Sequence, residues 1–129
     1  MLTFSNFGSF YLMKAAILGF GREGKSLLRF LKKSKNFRGS KIEILDQKFD
    51  RGYLKNLGRF DIIFRSPGVP YTLPQLYRAR CDGVNVSSAT KLFFSLTSPY
   101  RKKIIGVTGT KGKGTTSKLL AEILRNCGH

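Results

Sequence analysis

The sequence predicts an α/β fold, a parallel sheet with flanking helices. From Lys14 onward, short apolar runs alternate with longer segments of helical spacing, the arrangement of repeated βαβ units. Glycine-rich turns join run to helix at two places, "GFGREG" at 19–24 and "GVTGTKGKGTT" at 106–116. A length of 129 residues with 41% hydrophobic content is that of one ordinary domain able to bury its own core.

The opening "MLTFSNFGSFYL" is apolar and aromatic, but it lacks the basic start of a signal peptide, and polar residues interrupt it before a membrane span is complete. Met13 leads straight into the first apolar run, so residues 1–12 read as an extension or a mis-called start outside the core. "AAILG" is the first strand. A helix over 26–33 follows, with Leu27, Leu28 and Leu31 inward and Arg29, Lys32 and Lys33 outward. "KIEILD" predicts a second strand ending at Asp46, and Tyr53, Leu54 and Leu57 mark a short helical turn. "DIIFRS" has the unbroken apolarity of a strand covered on both faces. Pro67, Gly68, Pro70 and Pro74 make the next segment a rigid exposed loop. A short helix over 74–80, a strand at "GVNV", and a helix over Ala89–Leu96 with Leu92, Phe93 and Leu96 inward complete the first domain, 13–98. "TSPYRKK" reads as a linker. Beyond it "IIGVTG" is a new strand and 113–126 a new helix, with Leu119, Leu120, Ile123 and Leu124 facing a core.

Charge narrows the partners without choosing one. Twenty-four Lys and Arg against seven Asp and Glu give a formal net charge of +17, which favours nucleotides, nucleic acid, acidic proteins or a membrane surface. A basic proteome or a missing acidic portion accounts for the excess equally well. Cys81 and Cys127 lie far apart without metal-ligand spacing, which points to reduced thiols in a cytosolic protein. The only histidine, His129, is the last residue, so no histidine-based triad or metal cluster is available.

Three places could hold phosphate or nucleotide. Gly19, Gly21 and Gly24 have the GxGxxG spacing between a strand and a helix. Gly19 allows a tight turn, Gly21 lets main-chain N–H groups approach an anion, and Gly24 lets helix pack on strand, so a pyrophosphate at the helix N-terminus is the natural guest. Glu23 is expected to point to solvent. Asp46, about twenty residues on, stands where an acid of such folds meets a ribose or base, and equally where a strand-end turn favours Asp. The third place is 109–116, where the turn between strand and helix would wrap N–H groups around a triphosphate and Lys113 would reach its β and γ phosphates. The strict GxxxxGK[ST] form fails twice, with Val107 at its first glycine and Gly114 at its magnesium-binding hydroxyl.

"GVTGTKGKGTT" closely resembles the ATP loop of the Mur ligase family, GTxGK[ST]T, through Gly109, Thr110, Gly112, Lys113 and Thr115. "ILGFGREGKS" resembles the UDP-diphosphate loop of that family's first domain, and "SPGVP" after "DIIFRS" is similar to its D-glutamate-adding branch. The resemblance runs from Met13 to the C-terminus and implies a Rossmann-like domain that holds a UDP-linked substrate through Gly19, Phe20, Gly21, Arg22, Glu23 and Gly24. Within it, Gly21, Arg22 and Gly24 lie by the diphosphate, Asp46 by the uracil, and Ser66, Pro67 and Gly68 along the nucleotide. It implies ATP and Mg²⁺, the ATP held by Gly109, Thr110, Lys111, Gly112, Lys113, Gly114, Thr115 and Thr116, with Lys113 catalytic and Thr115, Thr116 or a water in place of the Mg²⁺-ligating hydroxyl that Gly114 lacks. It further implies ligase chemistry of peptidoglycan precursor synthesis: ATP activates the carboxylate of UDP-N-acetylmuramoyl-L-alanine as an acyl phosphate, and the amine of D-glutamate displaces phosphate. Ala89 and Lys91 depart from the family, replacing its usual acidic pair.

On this reading residues 99–129 begin an incomplete ATP-binding domain, and the chain is a fragment inactive alone that binds UDP compounds weakly. Two rival readings stay open: an NAD-binding oxidoreductase domain, which the 19–24 turn and Asp46 also fit, and a nucleic-acid-binding module resting on net charge and the basic stretches "RFLKKSKNFRGSK" and "RKK".

Overall fold

A computed structural model describes residues 13–97 and 103–129; the expected extension at 1–12 and positions 98–102 of the expected linker lie outside the described residues. The chain divides into two compact units, with the boundary between Thr97 and Ser98.

The first unit runs β1 (Lys14–Leu18), α1 (Arg22–Lys33), β2 (Lys41–Leu45), β3 (Ile62–Arg65), α2 (Pro74–Cys81), β4 (Asn85–Ser87) and α3 (Ala89–Leu96). Its four strands are all parallel, in the order β2-β1-β3-β4. β1 is central and apolar on both faces because both are covered: Ala15 and Ile17 enter one core with Leu27, Leu31, Phe37, Phe64 and Leu92, while Ala16 and Leu18 enter the other with Leu57, Phe60, Leu76, Ala79 and Val84. The first core brings α1 and α3 to one side of the sheet; the second brings α2 and the 3₁₀ turn Leu57–Arg59 to the other. Helices on both faces of a parallel sheet make the Rossmann-like arrangement that the alternating pattern predicts.

Several boundaries differ from expectation. α1 starts at Arg22 rather than 26, because Gly21 already occupies the N-cap and polar Arg22, Glu23 and Lys25 form its first turn. β2 stops at Leu45, which leaves Asp46 just past the strand. β4 is shifted toward Ser87, since Gly83 takes a left-handed φ of +88° and the Val84 N–H bonds to Ala79 O, so both finish α2. In α3, Leu92 is buried as expected, but Phe93 is 50% exposed and Leu96 36%. Phe93 lies 100° round the helix from Leu92 and packs against the Phe94 ring instead, with centroids 5.5 Å apart.

The second unit contains α4 (Lys113–Asn126), the helix the sequence predicts. The strand expected at 104–109 does not form. A strand requires partners for its N–H and C=O groups, and this segment has no ladder among the described residues. No residue of α4 is buried: Leu119 and Ile123 stand 54% and 58% exposed, against the expectation that they face a core.

Candidate nucleotide site

The strand order places β2 and β3 on opposite sides of β1, so the chain turns in opposite directions from neighbouring strands and opens a crevice at their carboxyl ends. Register then decides what lines it. Leu18 is paired with Leu45 of β2 and Arg65 of β3, so the next residues, Gly19, Asp46 and Ser66, emerge side by side.

The three glycines have three different surroundings. Gly19 has φ +88°, and a Cβ there would lie 3.0 Å from Ser66 Cβ and 3.1 Å from Val69 Cγ2, so both its conformation and its space require glycine. At Gly24 a Cβ would meet Gly19 O at 2.6 Å, which is the close contact of helix on turn. Gly21 has nothing within 4 Å of such a Cβ, so the main chain here can be approached from outside. It caps α1 without any side-chain hydrogen bond, leaving the first-turn N–H groups facing solvent or a ligand. Arg22 is exposed, and Glu23 is partly covered rather than fully in solvent.

The turn is tied to both neighbouring strand ends. Gly19 N–H donates to Leu45 O at 2.8 Å and Ser66 N–H to Leu18 O at 2.8 Å. Ser66 Oγ donates to Gly19 O at 2.7 Å. Asp46 accepts from Phe20 N–H at 2.6 Å and from Lys48 N–H at 2.9 Å, one on each carboxylate oxygen. The Lys48 N–H bond, then the Phe20 N–H bond, hold its carboxyl below the usual carboxylate value against partial desolvation, and the Lys48 charge adds to them. Pro67 and Gly68 are exposed on the rim.

Some residues at this edge were not singled out by sequence reasoning. Arg65 closes the 66–69 loop by donating to Ser66 O at 3.2 Å and to Val69 O. The Tyr71 ring lies under two guanidinium groups, Arg80 at 4.2 Å and Arg65 at 5.6 Å. Phe49, 68% exposed, sits with its ring centroid 6.1 Å from that of Phe20. An arginine closing an otherwise apolar strand was the one available signal; the aromatic placements depend on loop paths that no spacing rule encodes.

In the second unit, Gly109 (φ +152°) and Gly112 (φ +76°) take conformations suited to glycine, and Gly112 caps the 14-residue α4. Lys113 Nζ donates back to Gly109 O at 2.5 Å, drawing the loop closed around its own lysine. Thr110, Lys111, Gly114, Thr115 and Thr116 are all exposed, so the loop presents main-chain amides, two lysines and hydroxyls, a donor set that suits a polyphosphate. Thr115 and Thr116 are the hydroxyls at hand, because Gly114 has none. Among the described residues there is no group of three or more His, Cys, Asp or Glu that could hold a metal ion, and no helix is long and apolar enough to cross a membrane.

No family model matches the chain. Curated proteins do. It is 38% identical over 93 residues to the UDP-N-acetylmuramoylalanine–D-glutamate ligase of Acetivibrio thermocellus, which covers 72% of this chain and 19% of that protein. It is 32% identical over 143 residues to the ligase of the same name from Clostridium tetani, covering 98% of the chain and 31% of the relative. The Thermotoga maritima ligase gives 30% over 130 residues, 90% of the chain and 30% of the relative. The chain thus spans less than a third of the length of these relatives. Over the stretch that it spans, with a parallel sheet ending in one glycine turn and a second turn heading α4, the chain belongs to the Mur ligase family, on the branch of the D-glutamate ligases.

Proposed function

We propose that this chain supplies the UDP-substrate-binding portion and the ATP loop of an ATP-dependent ligase of peptidoglycan precursor synthesis, which adds D-glutamate to UDP-N-acetylmuramoyl-L-alanine. The observation that carries the proposal is the crevice where Gly19, Asp46 and Ser66 emerge together, next to a first turn of α1 that no side chain caps. Gly21, Arg22 and Gly24 would face the diphosphate, and Ser66, Pro67 and Gly68 would run along the nucleotide. The main-chain amides concentrate partial positive charge there without occupying the space, which suits a diphosphate better than a single carboxylate.

The 109–116 loop would take ATP. Gly109, Thr110, Lys111, Gly112, Gly114, Thr115 and Thr116 would surround the phosphates, and Lys113, released from Gly109 O, would reach the terminal ones. Thr115 would be the residue to hold Mg²⁺, which when bound would supply charge neutralisation at the phosphates. The chain spans less than a third of the relatives' length, and we expect it to bind and not to turn over alone.

Calorimetry of the 129-residue chain tests the reading. UDP-N-acetylmuramoyl-L-alanine should bind and raise the melting midpoint, as should ATP, whereas NAD should do neither. Stabilisation by NAD alone would establish the oxidoreductase reading in its place.

A further inference from the structure

Both polar ends of one peptide unit, the bond between Gly19 and Phe20, are occupied. Its carbonyl accepts from Ser66 Oγ at 2.7 Å, and its N–H donates to Asp46 Oδ2 at 2.6 Å. The two partners arrive from opposite neighbours of β1, Ser66 from the end of β3 and Asp46 from the end of β2. A trans peptide is planar with its C=O and N–H pointing opposite ways, so one partner on each side fixes the rotation of the whole plane. One further peptide unit, Phe20–Gly21, joins this plane to the first turn of α1, so fixing it anchors the start of the run that carries the N–H groups of Gly21, Arg22 and Glu23. Gly21 contributes no side chain that could hold the turn, and a Cβ there would meet nothing within 4 Å, so main-chain ties carry the positioning.

We propose that Asp46 and Ser66 are positioning residues, a two-sided clamp on the Gly19–Phe20 peptide that aims the first-turn amides of α1 at the diphosphate of the ligand. The inference rests on the nucleotide reading above and changes its detail: Asp46 and Ser66 serve the phosphate end by way of the main chain. Asp46 has both carboxylate oxygens committed to main-chain donors, Phe20 N–H and Lys48 N–H. A direct contact with ribose or base would have to compete for these.

Two ligands separate the roles. The full chain and its Asp46→Ala, Asp46→Asn and Ser66→Ala variants are titrated with UDP and with inorganic pyrophosphate, which has no nucleoside. The clamp predicts that Asp46→Ala weakens both by the same factor, about tenfold for one lost charge-assisted bond, and that Asp46→Asn, which keeps an acceptor oxygen for Phe20 N–H, recovers most of that loss. Ser66→Ala should likewise weaken both ligands alike. Loss of UDP affinity with pyrophosphate spared, or no loss at all, overturns the proposal. A readout that needs no ligand accompanies it: the Phe20 amide proton should resonate far downfield in the unsubstituted chain and return upfield in Asp46→Ala, and an unmoved resonance in that variant also overturns it. If the unsubstituted chain binds neither ligand, the nucleotide reading of the crevice falls first, and the clamp's purpose with it.

Discussion

Gly21 and Gly24 are three residues apart in one motif, yet substituting alanine at each should have opposite consequences. At Gly24 the new methyl would sit 2.6 Å from Gly19 O, a main-chain atom that cannot swing aside. Overpacking of this kind costs about 1–3 kcal/mol. Gly24→Ala should therefore lower the melting midpoint by roughly 4–8 °C per kcal/mol lost. At Gly21 the methyl meets nothing, and φ of −80° suits any residue. Gly21→Ala should melt with the unsubstituted chain but bind UDP more weakly, since the methyl occupies the approach to the amides; calorimetry beside a thermal melt separates the two effects. Asp46 adds a pH dependence. Its folded-state carboxyl lies below the ordinary value of 3.8, so its charge favours the fold. That contribution is complete above 3.8 and is lost as pH falls through the lowered value. The stability gap between the unsubstituted chain and Asp46→Asn, measured by urea unfolding, should be open at neutral pH and close in acid below 3.8.

Among the elements, α3 offers the sharpest contrast between neighbours. Leu92 is 2% exposed and belongs to the core that β1 shares with α1, whereas Phe93 is half exposed. Leu92→Ala should cost about 2–5 kcal/mol. Phe93→Ala should cost about 1 kcal/mol, the worth of its edge contact with Phe94. Chemical denaturation of the two variants checks this, and equal losses would mean that α3 is turned the other way. The same helix shows what sequence can and cannot convey. Its bounds, Ala89–Leu96, were legible in the sequence, and the structure shows Ser88 capping it, with Ser88 Oγ accepting from Lys91 N–H at 3.1 Å. Its buried face was not, because Leu92, Phe93 and Leu96 are all apolar and only packing decides among them. β1 and β3 were legible as unbroken apolar runs, and the crevice glycines as a spacing with a mechanism. Helical spacing sets the start of α1 too late, at 26, although Gly24 reads as the glycine of helix-on-strand packing; it lies inside the helix, in contact with Gly19. The 104–109 segment was misread for a different reason: its sequence has strand character, but a strand is made by its neighbours. The tie from Asp46 to Phe20 spans 26 residues and depends on register, which no local pattern reveals.

At the scale of the whole molecule, the net charge of +17 is opposed by little internal pairing. The acids are few, and several serve the main chain rather than the cations: Asp46 holds Phe20 and Lys48, Asp50 holds Gly52, and Asp61 accepts from Lys14 N–H at 2.7 Å. Among the described residues, the ion pairs both converge on Glu43, from Lys41 at 3.3 Å and Arg59 at 2.6 Å, and the lysine is largely in water. Exposed pairs of this kind contribute little, so screening should remove more repulsion than attraction. Raising NaCl from about 0.01 M to about 0.15 M shortens the screening length from about 30 Å to about 8 Å. The melting midpoint should rise over that interval. Chloride is the salt for the experiment, because phosphate or sulfate could enter a glycine cradle and stabilise by binding. The same titration decides what the charge is for. Contacts with random-sequence nucleic acid release counterions and should fade steeply as salt rises, whereas a nucleotide held by oriented amides in a crevice keeps most of its affinity. Tight nucleic-acid binding that persists at about 0.15 M salt, beside UDP binding that does not, would move the function from the crevice to the basic surface.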